Sequence, residues 1–226
     1  MKCKPEKHLP YFSVLEALQE SRGCSLCALE TACMSRYFES LLYEHVNDPR
    51  IRAELARSKG YCARHARRLL ECRDGFGTSI LYQDHVRAFA EAIDEIAVQS
   101  KPRRAKNRAH WTLHEGCPAC RVQQDARERH ISVFLEWLGD AEMQRGFQES
   151  AGFCVPHFFA VMDATKQPAT REFIGGVMRE KYDRLLSELA EFQRKNNWQF
   201  CREPMGQEGD SWMRAVNMIV GDKDVF

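Results

Sequence analysis

The feature that most constrains this chain is a motif that occurs twice. Ser58-Lys59-Gly60-Tyr61-Cys62-Ala63-Arg64-His65 and Ser150-Ala151-Gly152-Phe153-Cys154-Val155-Pro156-His157 both read Ser-x-Gly-aromatic-Cys-x-x-His. Each follows a Gly-Cys-x-x-Cys by about one helical hairpin, at Cys24 and Cys27 in the first copy and at Cys117 and Cys120 in the second. Subtracting 93 from the later numbers superposes the two Cys-x-x-Cys pairs, Phe134 on Leu41, Leu135 on Leu42 and Arg145 on Arg52. A one-residue deletion then aligns Phe147 with Leu55, and the second motif with the first. Such self-similarity over nearly the whole chain implies two structurally alike units.

The residues between the motifs carry helical periodicity. Apolar positions recur three and four apart at Phe12, Val14, Leu15 and Leu18, then at Leu29, Cys33, Phe38, Leu41 and Leu42, which predicts helices over roughly 11–21 and 28–45. Asp48 before Pro49 predicts an N-cap with proline in the first turn, and Gly60 a left-handed helix end. A further helix over 62–73 carries Leu69 and Leu70 inward. Thr78 is expected to cap a long helix to about residue 99, with Leu81, Val86, Phe89, Ile93 and Ile96 on one stripe; Val177, Tyr182, Leu185, Leu189 and Phe192 repeat it. No stretch alternates long enough for a strand. The expected fold is all-α: two tandem, duplicated helical units, each with a Cys3His metal site. The sequential partition is a first unit over 1–100, a basic linker over 101–110, a second unit over 111–198 and a tail or helix over 199–226.

Cysteine, histidine and their spacing point to metal. A Cys-x-x-Cys turn aims two sulfurs at one ion, and Cys and His three apart at a helix start share a face. The ligands in this reading are Cys24, Cys27, Cys62 and His65, then Cys117, Cys120, Cys154 and His157. Three thiolates and one imidazole suit tetrahedral zinc, two per chain, with no position left for a catalytic water. An iron–sulfur cluster is the alternative for the same residues. Covalent haem is disfavoured, because Ala28 and Arg121 stand where its motif requires histidine. Cys33 and Cys72 read as core residues and Cys3 and Cys201 as free thiols; His114, three before Cys117, is a minor rival ligand.

The gapped pattern, Gly-Cys-x-x-Cys then Ser-x-Gly-aromatic-Cys-x-x-His with the whole unit doubled from Cys24 to Phe192, resembles a prokaryotic family known only as a domain of unknown function. The resemblance implies an all-helical cytoplasmic protein and brings no activity with it.

Composition narrows the partners. Thirty-three basic against 32 acidic residues leave no global field toward nucleic acid. The run Lys101, Arg103, Arg104, Lys106 and Arg108 is the one local nucleic-acid candidate, and reads first as a solvated linker. No apolar stretch reaches membrane-spanning length, and the first residues lack the apolar core of a secretory signal, so the expectation is cytoplasmic. Nucleophile elbows, phosphate loops and His-Glu-x-x-His are absent from the sequence. The reading is therefore a structural-zinc protein acting through protein contacts, with regulation as the expected role; its rival is a redox protein using the same cysteines for an iron–sulfur cluster or a zinc/thiol switch.

Overall fold

The computed structural model describes residues 7–112, 116–200 and 202–226. Among them the regular structure is helical: α1 (Leu9–Glu20), α2 (Ser25–Ser40) running into a π turn (Leu41–His45), α3 (Pro49–Ser58), α4 (Ala63–Glu71), α5 (Gly75–Val98) and α6 (Lys101–Thr112). The second copy supplies α7 (Pro118–Trp137), α8 (Ala141–Glu149), α9 (Val155–Ala164) and α10 (Pro168–Lys195), then a 3-10 turn (Gln207–Asp210) and α11 (Ser211–Val220).

Local chemistry explains the boundaries. The Asp48 side chain accepts the Arg50 N–H at 2.8 Å and caps α3 above Pro49. The left-handed end of α3 falls on Lys59 (φ 58°) as well as on Gly60 (φ 95°). At α5 the cap is Asp74, which accepts the Gly77 N–H at 2.8 Å, so the helix starts before Thr78. An aspartate one residue ahead of the helix reaches the free N–H groups that Thr78, inside it, cannot.

The chain forms two compact units, and they are not the sequential halves 1–100 and 111–198. One comprises 1–31 with 127–226, the other 32–126. Both boundaries fall inside helices, α2 and α7. The reason is length. The 16 residues of α2 carry the chain about 24 Å from its knuckle, and the 10 of α3 return it only about 15 Å. In the second copy the 20 residues of α7 take it about 30 Å away and the nine of α8 return about 14 Å. Each Cys-x-x-His accordingly falls in a different unit from the knuckle of its own copy.

Each unit has its own apolar core, built from matched positions. In the first unit Phe134, Phe147 and Phe153 are buried and their rings lie 5.0–5.1 Å apart, while α1 adds Tyr11, Val14, Leu15 and Leu18. In the second, Leu41, Leu55 and Tyr61 hold the corresponding places, with Phe38 and Met34 against them. The periodicity errs at Phe12, which is 50% exposed, and in three further places. Leu70 and Cys72 are exposed, and of the α5 stripe only Leu81 is buried; Val86 is 68% exposed and Ile93 48%. The α10 stripe is half-buried at Tyr182, Leu185, Leu189 and Phe192. There the 207–220 segment packs on it, tied by Lys195–Glu208 at 2.7 Å and by the Tyr182 hydroxyl to the Met218 carbonyl at 2.9 Å. The basic run is itself helical, as α6, and its five cations are exposed.

Candidate metal centres

The eight cysteine and histidine residues singled out by spacing converge in two groups, paired across the copies. Cys24, Cys27, Cys154 and His157 form one; Cys62, His65, Cys117 and Cys120 form the other. This corrects the within-copy grouping. In each case the knuckle opening one long helix meets the Cys-x-x-His that begins a helix of the other copy.

Local structure sets each ligand. Cys62 and Cys154 occupy the N-cap positions of α4 and α9, with φ near −60° and ψ of 162°. His65 and His157 lie one turn further on, and so beside their cysteines. The preceding glycines give the chain its sharp entry. At Gly152 (φ 86°) a Cβ would stand 2.7 Å from the Lys181 side chain and 2.9 Å from the Met178 sulfur, so no larger residue fits without displacing both.

The spacing of the donor atoms suits one ion. Within each group all four ligand atoms lie within 4.8 Å of one another. His157 Nδ1 is 3.3 Å from Cys24 Sγ, 3.4 Å from Cys27 Sγ and 3.2 Å from Cys154 Sγ, and Cys27 and Cys154 sulfurs are 3.7 Å apart. In the other group His65 Nδ1 is 3.3, 3.7 and 3.4 Å from Cys62, Cys117 and Cys120, and Cys62 and Cys120 sulfurs are 3.7 Å apart. A zinc tetrahedron built with the usual bond lengths has edges of about 3.8 Å between sulfurs and about 3.6 Å from sulfur to nitrogen.

The far nitrogen of each imidazole is also engaged. His157 Nε2 donates to Glu30 Oε1 at 2.6 Å, and Arg127 grips the same carboxylate at 2.7 and 2.9 Å. His65 Nε2 donates to Gln123 Oε1 at 3.0 Å, beside Arg64 at 3.1 Å. A histidine whose Nε2 carries the proton presents the Nδ1 lone pair to the three sulfurs, the arrangement metal-bound imidazoles adopt. Glu30 and Gln123 match under the 93-residue offset, each three after the second knuckle cysteine. Spacing by ligand type alone passes over both; a polar residue recurring at one offset inside an apolar face was the available signal.

Protonation without an ion differs between the groups. Burial alone would lower the His157 pKa, but Cys154, Cys24 and Glu30 outweigh it and push it up to about 11. Burial likewise opposes ionisation of Cys24, yet hydrogen bonds from Cys154, Cys27 and His157 hold it well below the ordinary thiol value. Burial also works against a Glu30 carboxylate, and His157 and Arg127 keep it ionised. His65 is pushed down to about 4 by burial first and the Arg64 charge second, while burial and the neighbouring thiolate charge push Cys120 up to about 12. An ion entering either group must displace protons.

Other candidates stay apart from these groups. Cys33 is half-buried, Cys72 and His110 are exposed, and Cys3, Cys201 and His114 lie outside the described residues. Among the described residues no helix is long and apolar enough to cross a membrane.

No solved structure matches the chain. An uncharacterized 23.9 kDa protein encoded in the xynA 3′ region of Caldicellulosiruptor sp. (strain Rt8B.4) is 26% identical over 210 residues, covering 92% of this chain and 99% of the relative. Residues 6–225, and with them both four-ligand groups, match one family throughout, so the chain belongs to the family of unknown function DUF6062.

Proposed function

We propose that this protein carries two structural zinc ions, that each ion staples one copy of the repeat to the other, and that the protein works through contacts with protein partners. The observation that carries the reading is the closed donor set: three sulfurs and one Nδ1 at tetrahedral spacing, with the imidazole held from behind by Glu30 or Gln123. Four protein ligands leave no coordination position for substrate or water, which favours a structural over a catalytic ion. The tight spacing also favours one ion over an iron–sulfur cluster, whose ligands must reach separate irons. Stapling has an architectural consequence. The unit boundaries run through α2 and α7, so an ion in either group ties residues more than 50 positions apart and commits the chain to the exchanged pairing.

Protein contact is the expected mode of action because four protein ligands leave neither ion an open coordination position. Trp212, Val216, Ile219 and Val220 on α11 remain 52–56% exposed, apolar surface of the type that partners bury. Elemental analysis and an absorption spectrum of anaerobically purified protein test the metal assignment. The expected result is two zinc ions per chain and no visible absorption. Iron with broad visible bands would replace it by the redox reading.

A further inference from the structure

The two centres are copies of one design, yet three independent features separate them. We propose that the centre of Cys62, His65, Cys117 and Cys120 is an exchangeable site for a soft divalent ion, whereas that of Cys24, Cys27, Cys154 and His157 is sealed. The inference rests on the metal-binding reading above and assigns different roles to its two sites.

Access is the first difference. Cys24, Cys27, Cys154 and His157 are all buried. In the other centre His65 and Cys117 are buried, but Cys62 and Cys120 are only half-buried. Its ligand set is therefore less completely shielded from solvent. An ion held by thiolates leaves by stepwise substitution: an incoming donor binds, one cysteine sulfur departs and takes a proton, and the next follows. No oxidant is needed. Two half-buried ligand residues ease that first step, and four buried ones hinder it.

The second difference is a cover. The segment from Gly221 to Phe226 lies over the sealed centre. The Asp222 N–H donates to Cys27 Sγ at 3.5 Å, the Phe226 ring stands 5.0 Å from the His157 ring, and Val225 is 1% exposed. The Arg127 guanidinium closes over the outer face of Phe226 at 4.7 Å. Arg127 thus holds the cover and the Glu30 carboxylate together. Among the described residues of the other centre, the matching backbone donor is Cys62 N–H, to Cys117 Sγ at 3.4 Å, which comes from a ligand residue itself.

The third difference is the group behind the histidine. A carboxylate at 2.6 Å makes His157 a more basic ligand, while the Gln123 amide at 3.0 Å supplies orientation alone. Each of the three differences slows loss from the same centre. The exchange partner of the open centre is a molecule offering thiolate or imidazole donors, since those compete for an ion that prefers sulfur and nitrogen.

The test uses the full, zinc-loaded chain and an excess of a chromogenic chelator, with release followed by absorbance. Two phases of equal amplitude are expected, the faster at least about tenfold quicker. Cys62→Ser should remove the fast phase and Cys154→Ser the slow one. Because a ligand variant can unfold its unit, Phe226→Ala and a chain ending at Val220 provide the second arm; both should accelerate the slow phase and leave the fast one unchanged. Release of both ions in one phase, or a slow phase indifferent to both cover variants, overturns the assignment of roles while leaving two bound ions in place. Protein that contains and takes up no metal overturns the metal reading itself.

Discussion

Glu30 and Gln123 occupy the same place in the two copies, but Glu30 receives His157 Nε2 at 2.6 Å on a carboxylate, and Gln123 receives His65 Nε2 at 3.0 Å on an amide. Glu30 sits on the helix that carries Cys27 and directly follows Cys24, and Gln123 on the helix that carries Cys120 and directly follows Cys117. Each knuckle helix thus brings two ligands and the orienting partner of the histidine that completes its site.

That relationship makes Glu30→Gln a defined perturbation. Metal affinity of its centre should fall by about 10–100-fold, the usual loss when an outer hydrogen-bond partner of a ligating histidine is altered. Competition titration against a chelator of known affinity measures it, with Gln123→Glu as the converse. An unchanged affinity in Glu30→Gln would remove the carboxylate from the site's energetics.

Cross-copy pairing is tested by stoichiometry in double variants. Cys24→Ser with Cys154→Ser should cost one ion, because both residues serve one centre. Cys24→Ser with Cys62→Ser should cost two. Pairing within each copy requires the reverse, so metal analysis of the two purified double variants decides between them.

The aromatic cluster supports the first centre mechanically. Phe147 is fully buried between Phe134 and Phe153, and Phe153 directly precedes Cys154. Phe147→Ala should destabilise its unit by about 3–5 kcal/mol through lost burial and the cavity left behind. Urea unfolding of the metal-loaded protein reads this as a lower midpoint.

Acid should loosen the segment packed on α10. Glu208 is held down to about 2 by the Gly206 N–H and then by the Lys195 ammonium. A carboxylate depressed below its ordinary value of 4.5 gives its full stabilisation above that value and loses it as pH falls toward about 2. Amides of α11 should therefore exchange faster at pH 3 than at pH 6, after correction for the intrinsic rate. Glu208→Gln should remove that dependence; if it persists in the variant, another group is responsible.

Much of the architecture was legible in the residues. Helical periodicity, Asp48 before Pro49 and the absence of strand alternation gave an all-α chain, and the 93-residue offset identified Leu41 with Phe134 and Leu55 with Phe147 as matched inward positions. Periodicity failed at Leu70, Val86 and Ile93, since an apolar stripe shows which face a helix offers but not whether anything packs there. The α10 stripe is covered because residues 207–220 return to it, a contact that no local pattern encodes.

The sequence by itself determined the eight ligand-type residues, because ligand chemistry and a one-turn spacing are local properties that duplication then repeats. Only the tertiary structure decided which knuckle meets which Cys-x-x-His. Both pairings place three sulfurs and an imidazole together, and ligand types alone do not distinguish them. The choice comes from helix length. α2 and α7 carry the chain further from its knuckle than α3 and α8 bring it back, and each half-site closes on the complement supplied by the other copy.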